Sequence, residues 1–269
     1  MSYAPFVPSG GYTGWTFLKR TFSAQRTAYL RDGTIHREEA YFRDKIGKAD
    51  TAEKLVSDRR LLSVSLSAFG LEADLPNKAF IRKVLEGGTL KSDSLANRLA
   101  DKRYLEFAKA FGFGDFPKPN TLKSDFADKI LKAYEARSFE TAVGAQDSNM
   151  RLALNAQREL ADLAGRSLSS NGKWHLALGS PPLRTVLQTA LGLPSSFSSA
   201  DIDRQVQVLK DRCEAALGQS DPSQFRDPEQ IEKLIRLFLV RSQTSATSAL
   251  EGTQVLGLLQ QAVRISRYA

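Results

Sequence analysis

The sequence predicts an all-α fold made of two small helical units, related by internal duplication and joined by long helices. Three observations predict it. Apolar residues recur three and four positions apart along most of the chain, the spacing that gathers them on one face of a helix. Helix-capping residues precede those runs and glycines close them. A stretch in the first half also recurs in pattern in the second, with Gly70 answered by Gly192.

Residues 1–12, rich in Pro, Gly and Ser, read as an irregular N-terminal arm. Thr13 opens a helix through about Leu30, with Trp15, Leu18, Phe22, Gln25 and Tyr29 near one face, and Arg31-Asp32-Gly33 ends it. A second helix runs from about His36 to Ile46, burying Ala40 with Tyr41 or Phe42 and stopping at Gly47. Asp50 followed by Glu53 reads as a capping box for a short helix to Val56.

Asp58 then caps a helix with Leu61, Val64 and Ala68 on one side and Leu62, Leu66 and Phe69 on the other. So broad an apolar surface calls for burial from two directions. Gly70 suits the left-handed residue after a helix, where the missing Cβ removes the steric penalty. Phe80, Ile81, Val84 and Leu85 mark a short helix closed by Gly87-Gly88, and Ser92 or Ser94 opens another through Leu95 and Leu99. Asp101 caps a third, in which Tyr104, Phe107, Ala108 and Phe111 keep helical spacing until Gly112 and Gly114.

Pro117 and Pro119 mark a boundary. Two long helical patterns follow, over about 121–143 and 146–167. The first carries Phe126, Ile130, Ala133 and Tyr134; the second carries Met150, Leu152 or Leu154, Leu160 and Leu163. With Gly144 between them they form either one kinked helix or an antiparallel pair. Ser167 to Lys173 reads as a polar linker. Ser180-Pro181-Pro182 is a strong start signal, a serine cap with proline in the first turn, for a helix through Val186 and Ala190 to Gly192. The next runs from about Ser199 to Leu217, with Ile202, Val206, Leu209, Cys213 and Leu217 on one stripe. Asp227-Pro228 opens another, with Ile231, Leu234, Ile235 and Phe238, and an amphipathic tail helix follows through Leu250, Val255, Leu258 or Leu259, and Ile265. The expected organisation is an arm (1–12), a first helical unit (13–117), connecting helices and linker (118–172), and a second unit with a C-terminal amphipathic helix (173–269).

The duplication rests on matched core positions. With Gly70 laid over Gly192, Leu61 meets Leu183, Val64 meets Val186, Phe80 meets Ile202 and Val84 meets Val206. Further on, Tyr104, Phe107, Ala108 and Phe111 match Ile231, Leu234, Ile235 and Phe238 after a small insertion. Surface residues do not recur: Ser180, Pro181 and Pro182 stand where the first unit has Asp58, Arg59 and Arg60.

Composition narrows the functional classes. Of 269 residues, 42% are hydrophobic and 25% charged, near the averages for soluble globular chains. The single cysteine, Cys213, rules out an intrachain disulfide, and His36 and His175 lie far apart, so no metal or cofactor is expected. The N-terminal stretch lacks the basic and apolar regions of a secretory signal, and apolar runs are too short for a membrane span. Net charge is +8, but the basic residues are interleaved with acids and form no aromatic-studded stripe. They mostly describe a solvated helical surface. The charges peculiar to the first unit, Arg59, Arg60, Arg82, Lys83, Lys102 and Arg103, are the candidate interaction surface, because arginine presents a planar fork to phosphate or carboxylate oxygens. Gly112-Phe113-Gly114 and Gly87-Gly88 lack the context of a phosphate loop and read as helix stops. His36 reads as a surface residue, Cys213 as a small core residue, and Trp15 and Trp174 as packing anchors. No nucleophile, base and acid stand at a catalytic spacing, so no enzyme is expected.

The blocks SDRRLLSVSLSAFGLE (57–72), FIRKVLEGGT (80–89), LADKRYLEFAKAFGFGDF (99–116) and GSPPLRTVLQTALGLPSSF (179–197) resemble a bacterial family of unknown function whose members are often encoded among flagellar genes. GYTGWTFLKRT (11–21) and MRLALNAQRELADLA (150–164) extend the resemblance over nearly the whole chain. It supplies no catalytic or binding residues. What it implies is a flagellar context, either in the cytoplasm or on the flagellum. The expected function is therefore non-enzymatic protein–protein interaction as a flagellum-associated assembly or structural factor, with an unidentified protein partner. The alternative is a regulatory module that binds nucleic acid through the basic face of the first unit.

Overall fold

The computed structural model describes residues 3–244, and among these it is all helix, without a strand. The expected tail helix through Leu250 and Ile265 lies outside the described residues. The helices are α1 (Gly11–Leu30), α2 (Gly33–Lys45), α3 (Ala52–Ser57), α4 (Arg59–Ser67), α5 (Lys78–Gly87), α6 (Leu95–Arg98), α7 (Arg103–Phe111), α8 (Phe126–Gly144), α9 (Ser148–Gly165), α10 (Ser170–Leu178), α11 (Pro181–Leu191) and α12 (Ile202–Leu217). A further helix, α13, covers 228–244. None is long and apolar enough to cross a membrane among the described residues.

Helix α8 organises the packing. Its first half gives Phe126, Ile130, Leu131 and Tyr134 to a core made with α2, α3, α4, α5 and α7. Its second half gives Phe139 and Val143 to another core, made with α9 to α13. Trp15 and Leu18 of α1 belong to this second core and are fully buried. The Trp15 indole donates to Glu232 on α13, which also takes Lys19 and the Tyr12 hydroxyl. Glu232 thereby fastens the N-terminal helix to the last described one.

Helices α8 and α9 are an antiparallel pair. The chain turns at Ala145–Asp147, where Asp147 accepts from the amides of Asn149 and Met150 to start α9. Arg158 reaches back across the pair and holds Glu140 with two bonds, of 2.7 and 3.1 Å. The Glu140 side chain is only 9% exposed, so the pair works largely out of water.

Local signals were mostly honoured. Asp58 accepts from the amides of Arg60 and Leu61, and Leu61, Leu62, Val64, Leu66 and Ala68 are all buried, as a helix packed on two sides requires. Gly70 has φ 70°; the amide of Leu71 reaches Leu66 O at 2.9 Å and that of Gly70 reaches Ser67 O at 3.2 Å. Gly192, at φ 63°, ends α11 with the same two bonds, Leu193 to Gln188 at 2.9 Å and Gly192 to Thr189 at 3.2 Å. Beyond that turn the two halves diverge: α12 has 16 residues against ten in α5, and a 3-10 turn (Pro222–Arg226) stands before α13 where the short α6 stands before α7. Gly88 and Gly114 do more than stop helices. Their backbones meet, so that a Cβ on Gly88 would lie 2.8 Å from the Gly114 carbonyl, and Asp115 then takes the Thr89 hydroxyl at 2.7 Å.

Some expectations fail for local reasons. Thr51, not Asp50, caps α3, accepting from the Lys54 amide, while Asp50 pairs with the Lys54 ammonium. Ala40 is exposed; Ile35 and Phe42, seven apart, are the residues α2 buries. Helix α10 occupies most of the stretch read as a linker: Ser169 caps it through the Gly172 amide. The polar Ser-Asn-Gly start hides the helix from a periodicity reading. Lys173 within it is buried, its ammonium donating to Ala164 O at 3.0 Å and Ser223 Oγ at 2.7 Å, so it closes the carbonyl end of α9. Ile202, placed on the apolar stripe of α12, sits at the helix start and is 46% exposed. Ser180 holds the cap position of α11, but its hydroxyl donates to Glu159 instead of to the helix.

This packing sets four expected outcomes. Gly70→Ala should lower stability by about 1–2 kcal/mol in urea unfolding, because alanine pays the left-handed penalty there. Gly165→Ala, with open space around its added methyl, should be neutral or stabilising by up to about 1 kcal/mol. Glu140→Gln should cost about 2–4 kcal/mol, somewhat under the range for a fully buried pair because Arg158 keeps some water contact; in a double-mutant cycle, Glu140→Gln with Arg158→Met should recover part of that loss. Finally, burial pushes the Cys213 thiol up to about 12, so at about pH 8 a disulfide reagent should label it slowly in the native protein and fully in denaturant.

Candidate functional site

Where the two cores meet, the helices do not close completely. A cavity of about 440 Å³ lies between the end of α4, the start of α7, the middle of α8, the C-terminal half of α9 and the α10–α11 junction. The junction is held close: the Lys102 amide donates to Gly179 O at 2.8 Å, and a Cβ on Gly179 would come 3.0 Å from that of Lys102. Apolar walls come from Ala68, Phe69, Leu163, Leu176 and Leu183. The polar lining is Lys102, Arg103, Arg137, Arg158 and Arg166, with Glu106, Glu159, Asp162 and Ser180.

Most of these charges are committed to neighbours. Arg103 holds Asp101 through Nε at 3.0 Å and Nη2 at 2.6 Å and donates to Gly70 O. Burial works against its charge, but the Asp101 carboxylate outweighs this and raises its pKa. Lys102 donates to Asn97 O at 2.7 Å and Leu99 O at 2.9 Å, closing α6. Arg166 bridges Asp162 at 3.0 Å and Glu106 at 3.2 Å. Glu159 accepts the Ser180 hydroxyl at 2.6 Å and the Asn155 amide at 3.1 Å. The arrangement presents N–H donors and no activated nucleophile, which is chemistry suited to holding an anionic group.

Of the six cations that the sequence proposed, Lys102 and Arg103 line this cavity and the other four do not. Arg60 pairs with Glu38 on α2 and lies 3.9 Å over the Tyr41 ring. Arg82 pairs with Glu86 and with Glu53 on α3. Arg59 and Lys83 are exposed. A nucleic-acid phosphate would have to displace carboxylates from Arg60, Arg82 and Arg103 before meeting them, which weakens each contact. The sequence reading missed Arg137, Arg158, Glu159, Asp162 and Arg166. Arg158 and Asp162 on α9 and Arg166 at its cap stand four apart, a signal that ordinarily marks a solvated face. Only the meeting of α9 with α7 and α8 turns it into a lining.

A second cleft, of about 370 Å³, lies between α1 and the α8–α9 pair. Phe139 and Leu154 form its floor, and Lys19, Arg26 and Arg158 stand around it. Phe22 is 36% exposed and meets the Phe139 ring edge-on at 5.5 Å. Arg26 is held by Glu135 at 3.0 Å.

The other singled-out residues are structural. His36 is exposed beside Glu39 at 3.8 Å. Trp15 and Trp174 are fully buried, and the Trp174 indole donates to Ser220 O at 3.0 Å. Among the described residues, no group of His, Cys, Asp and Glu is arranged to hold a metal ion.

Comparison with known proteins places the fold. The crystal structure of protein AGR_C_984 from Agrobacterium tumefaciens is similar over 90% of this chain and 99% of that one, with a TM-score of 0.70 and 25% sequence identity. No curated protein matches the sequence. The model of a family described as "Protein of unknown function (DUF1217)" matches residues 68–231, from the end of α4 into α13, which takes in the first cavity and the α8–α9 side of the second cleft but not its α1 wall. That match spans more than half of the sequence, and the chain belongs to this family.

Proposed function

We propose that the protein is a non-enzymatic protein–protein interaction factor, and that it serves the assembly or structure of the flagellum. The observation that carries the interaction reading is the cleft between α1 and the α8–α9 pair. An exposed aromatic ring seated on a buried one, over an apolar floor and inside a charged rim, is the anatomy of an interface centre. Lys19 and Arg26 are already fixed by Glu232 and Glu135, so the rim is ordered before a partner arrives and costs little entropy on binding. The flagellar part rests on the resemblance of the sequence blocks alone.

The test is genetic first. Deleting the gene in a motile strain should change filament number, export of flagellar subunits or swimming; if all three stay as in the parent, the flagellar reading is wrong. Phe22→Asp should weaken capture of the partner at least about ten-fold, or about 1.4 kcal/mol, while thermal melting stays close to wild type because the ring is only partly buried. Unchanged capture by a folded Phe22→Asp protein would remove this cleft as the interface.

A further inference from the structure

Arg137, midway along α8, is the cationic group in the lining of the 440 Å³ cavity whose N–H donors are least used. Its side chain is 18% exposed, and the nearest carboxylate oxygen, Glu159 Oε1, is 3.7 Å away, beyond hydrogen-bond distance. Among the described residues none accepts a hydrogen bond from it, although a guanidinium carries five N–H donors. Burial, with Arg158 as the next cause and Arg103 beyond it, pushes its pKa down to about 10. Arg103 approaches from the other side: a Cβ on Gly70 would lie 3.2 Å from Arg137 Nη1 and 3.4 Å from Arg103 Nη1. Folded chains seldom bury a charge and leave its donors idle, because the desolvation is then uncompensated.

The neighbours fix what kind of anion would answer it. Arg103, Arg158 and Arg166 each hold a carboxylate, and Lys102 holds two carbonyls. Glu159, 3.7 Å away, offsets the Arg137 charge, but among the described residues no acceptor takes its N–H groups, so the site offers an open donor fork and not a surplus of positive charge. Glu106, Glu159 and Asp162 also stand in the lining, so a dianion would be repelled more strongly than a monoanion. The remaining wall is apolar, through Phe69, Leu163, Leu176 and Leu183. A volume of about 440 Å³ falls within the range of small-molecule sites.

We infer that this cavity is a binding site for a small monocarboxylic acid with an apolar body, its carboxylate taken by the Arg137 fork and its chain laid against Phe69 and Leu183. The site does not depend on the interaction role, and its test is separate from that of the α1 cleft.

The experiment is titration of the full-length protein by calorimetry and by melting temperature, using hexanoate, acetate, hexanol and inorganic phosphate as probes. Hexanoate should bind and raise the melting temperature, while acetate, hexanol and phosphate bind at least about ten-fold more weakly. Arg137→Met should lose hexanoate binding by about ten-fold or more and, with its idle buried charge removed, should melt no lower than wild type in the absence of ligand. Arg137→Lys, which keeps the charge without the fork, should bind more weakly than wild type and provides a second folded variant. Arg82→Gln, outside the cavity, should bind as wild type. Hexanoate binding that is undiminished in Arg137→Met, matched by hexanol, or absent in the wild type up to about 10 mM would overturn the inference.

Discussion

The structure depends on one constraint: a single helix, α8, has to serve two hydrophobic cores. Its first half turns Phe126, Ile130, Leu131 and Tyr134 to one, and its second half turns Phe139 and Val143 to the other. Between these sets the helix is claimed by neither core. That is where Arg137 lies, and opposite it on α9 lie Arg158 and Glu159. Two rounded bodies packed on a common rod leave a wedge of space beside it, and long charged side chains fill such a wedge better than short apolar ones. Both clefts open on this rod, and Arg158 touches both.

Electrostatics in the wedge follow from burial. An ion pair taken from water is stable only when its geometry repays the desolvation. Arg158 achieves this with two bonds to Glu140, and Arg103 with Asp101 and the Gly70 carbonyl. Arg166 does so with two acids on separate helices, which ties α7 to α9. The pairing is weakest at Arg137, which has Glu159 at 3.7 Å and no hydrogen bond among the described residues. A network so nearly balanced leaves the Arg137 donors open beside the cavity. The same balance keeps the net charge of +8 from concentrating into a cationic face here.

Much of the fold was legible because it is local. Asp58, Gly70, Pro181-Pro182 and Gly192 each act on the four or five residues beside them, so their meaning survives without tertiary context. The errors came where context overrides the local signal. Helix α10 begins with residues that favour turns and is held by burial of Trp174 and Lys173. Ser180 has the right place for a cap but finds a better acceptor in Glu159, some twenty residues away in sequence. Ile202 keeps the apolar spacing yet stands where the helix has not reached the core.

By itself the sequence determined the all-helical class, most helix boundaries and which faces are apolar, since capping, left-handed glycine and helical periodicity are properties of neighbouring residues. The tertiary structure decided that α8 and α9 are antiparallel, that α1 joins the second core, and that the six cations of the first unit do not act as one set. Charge carries no periodicity that says which acid will face it, so the pairing of Arg60, Arg82 and Arg103, and the looser pairing of Arg137, emerged only when helices distant in sequence were brought together.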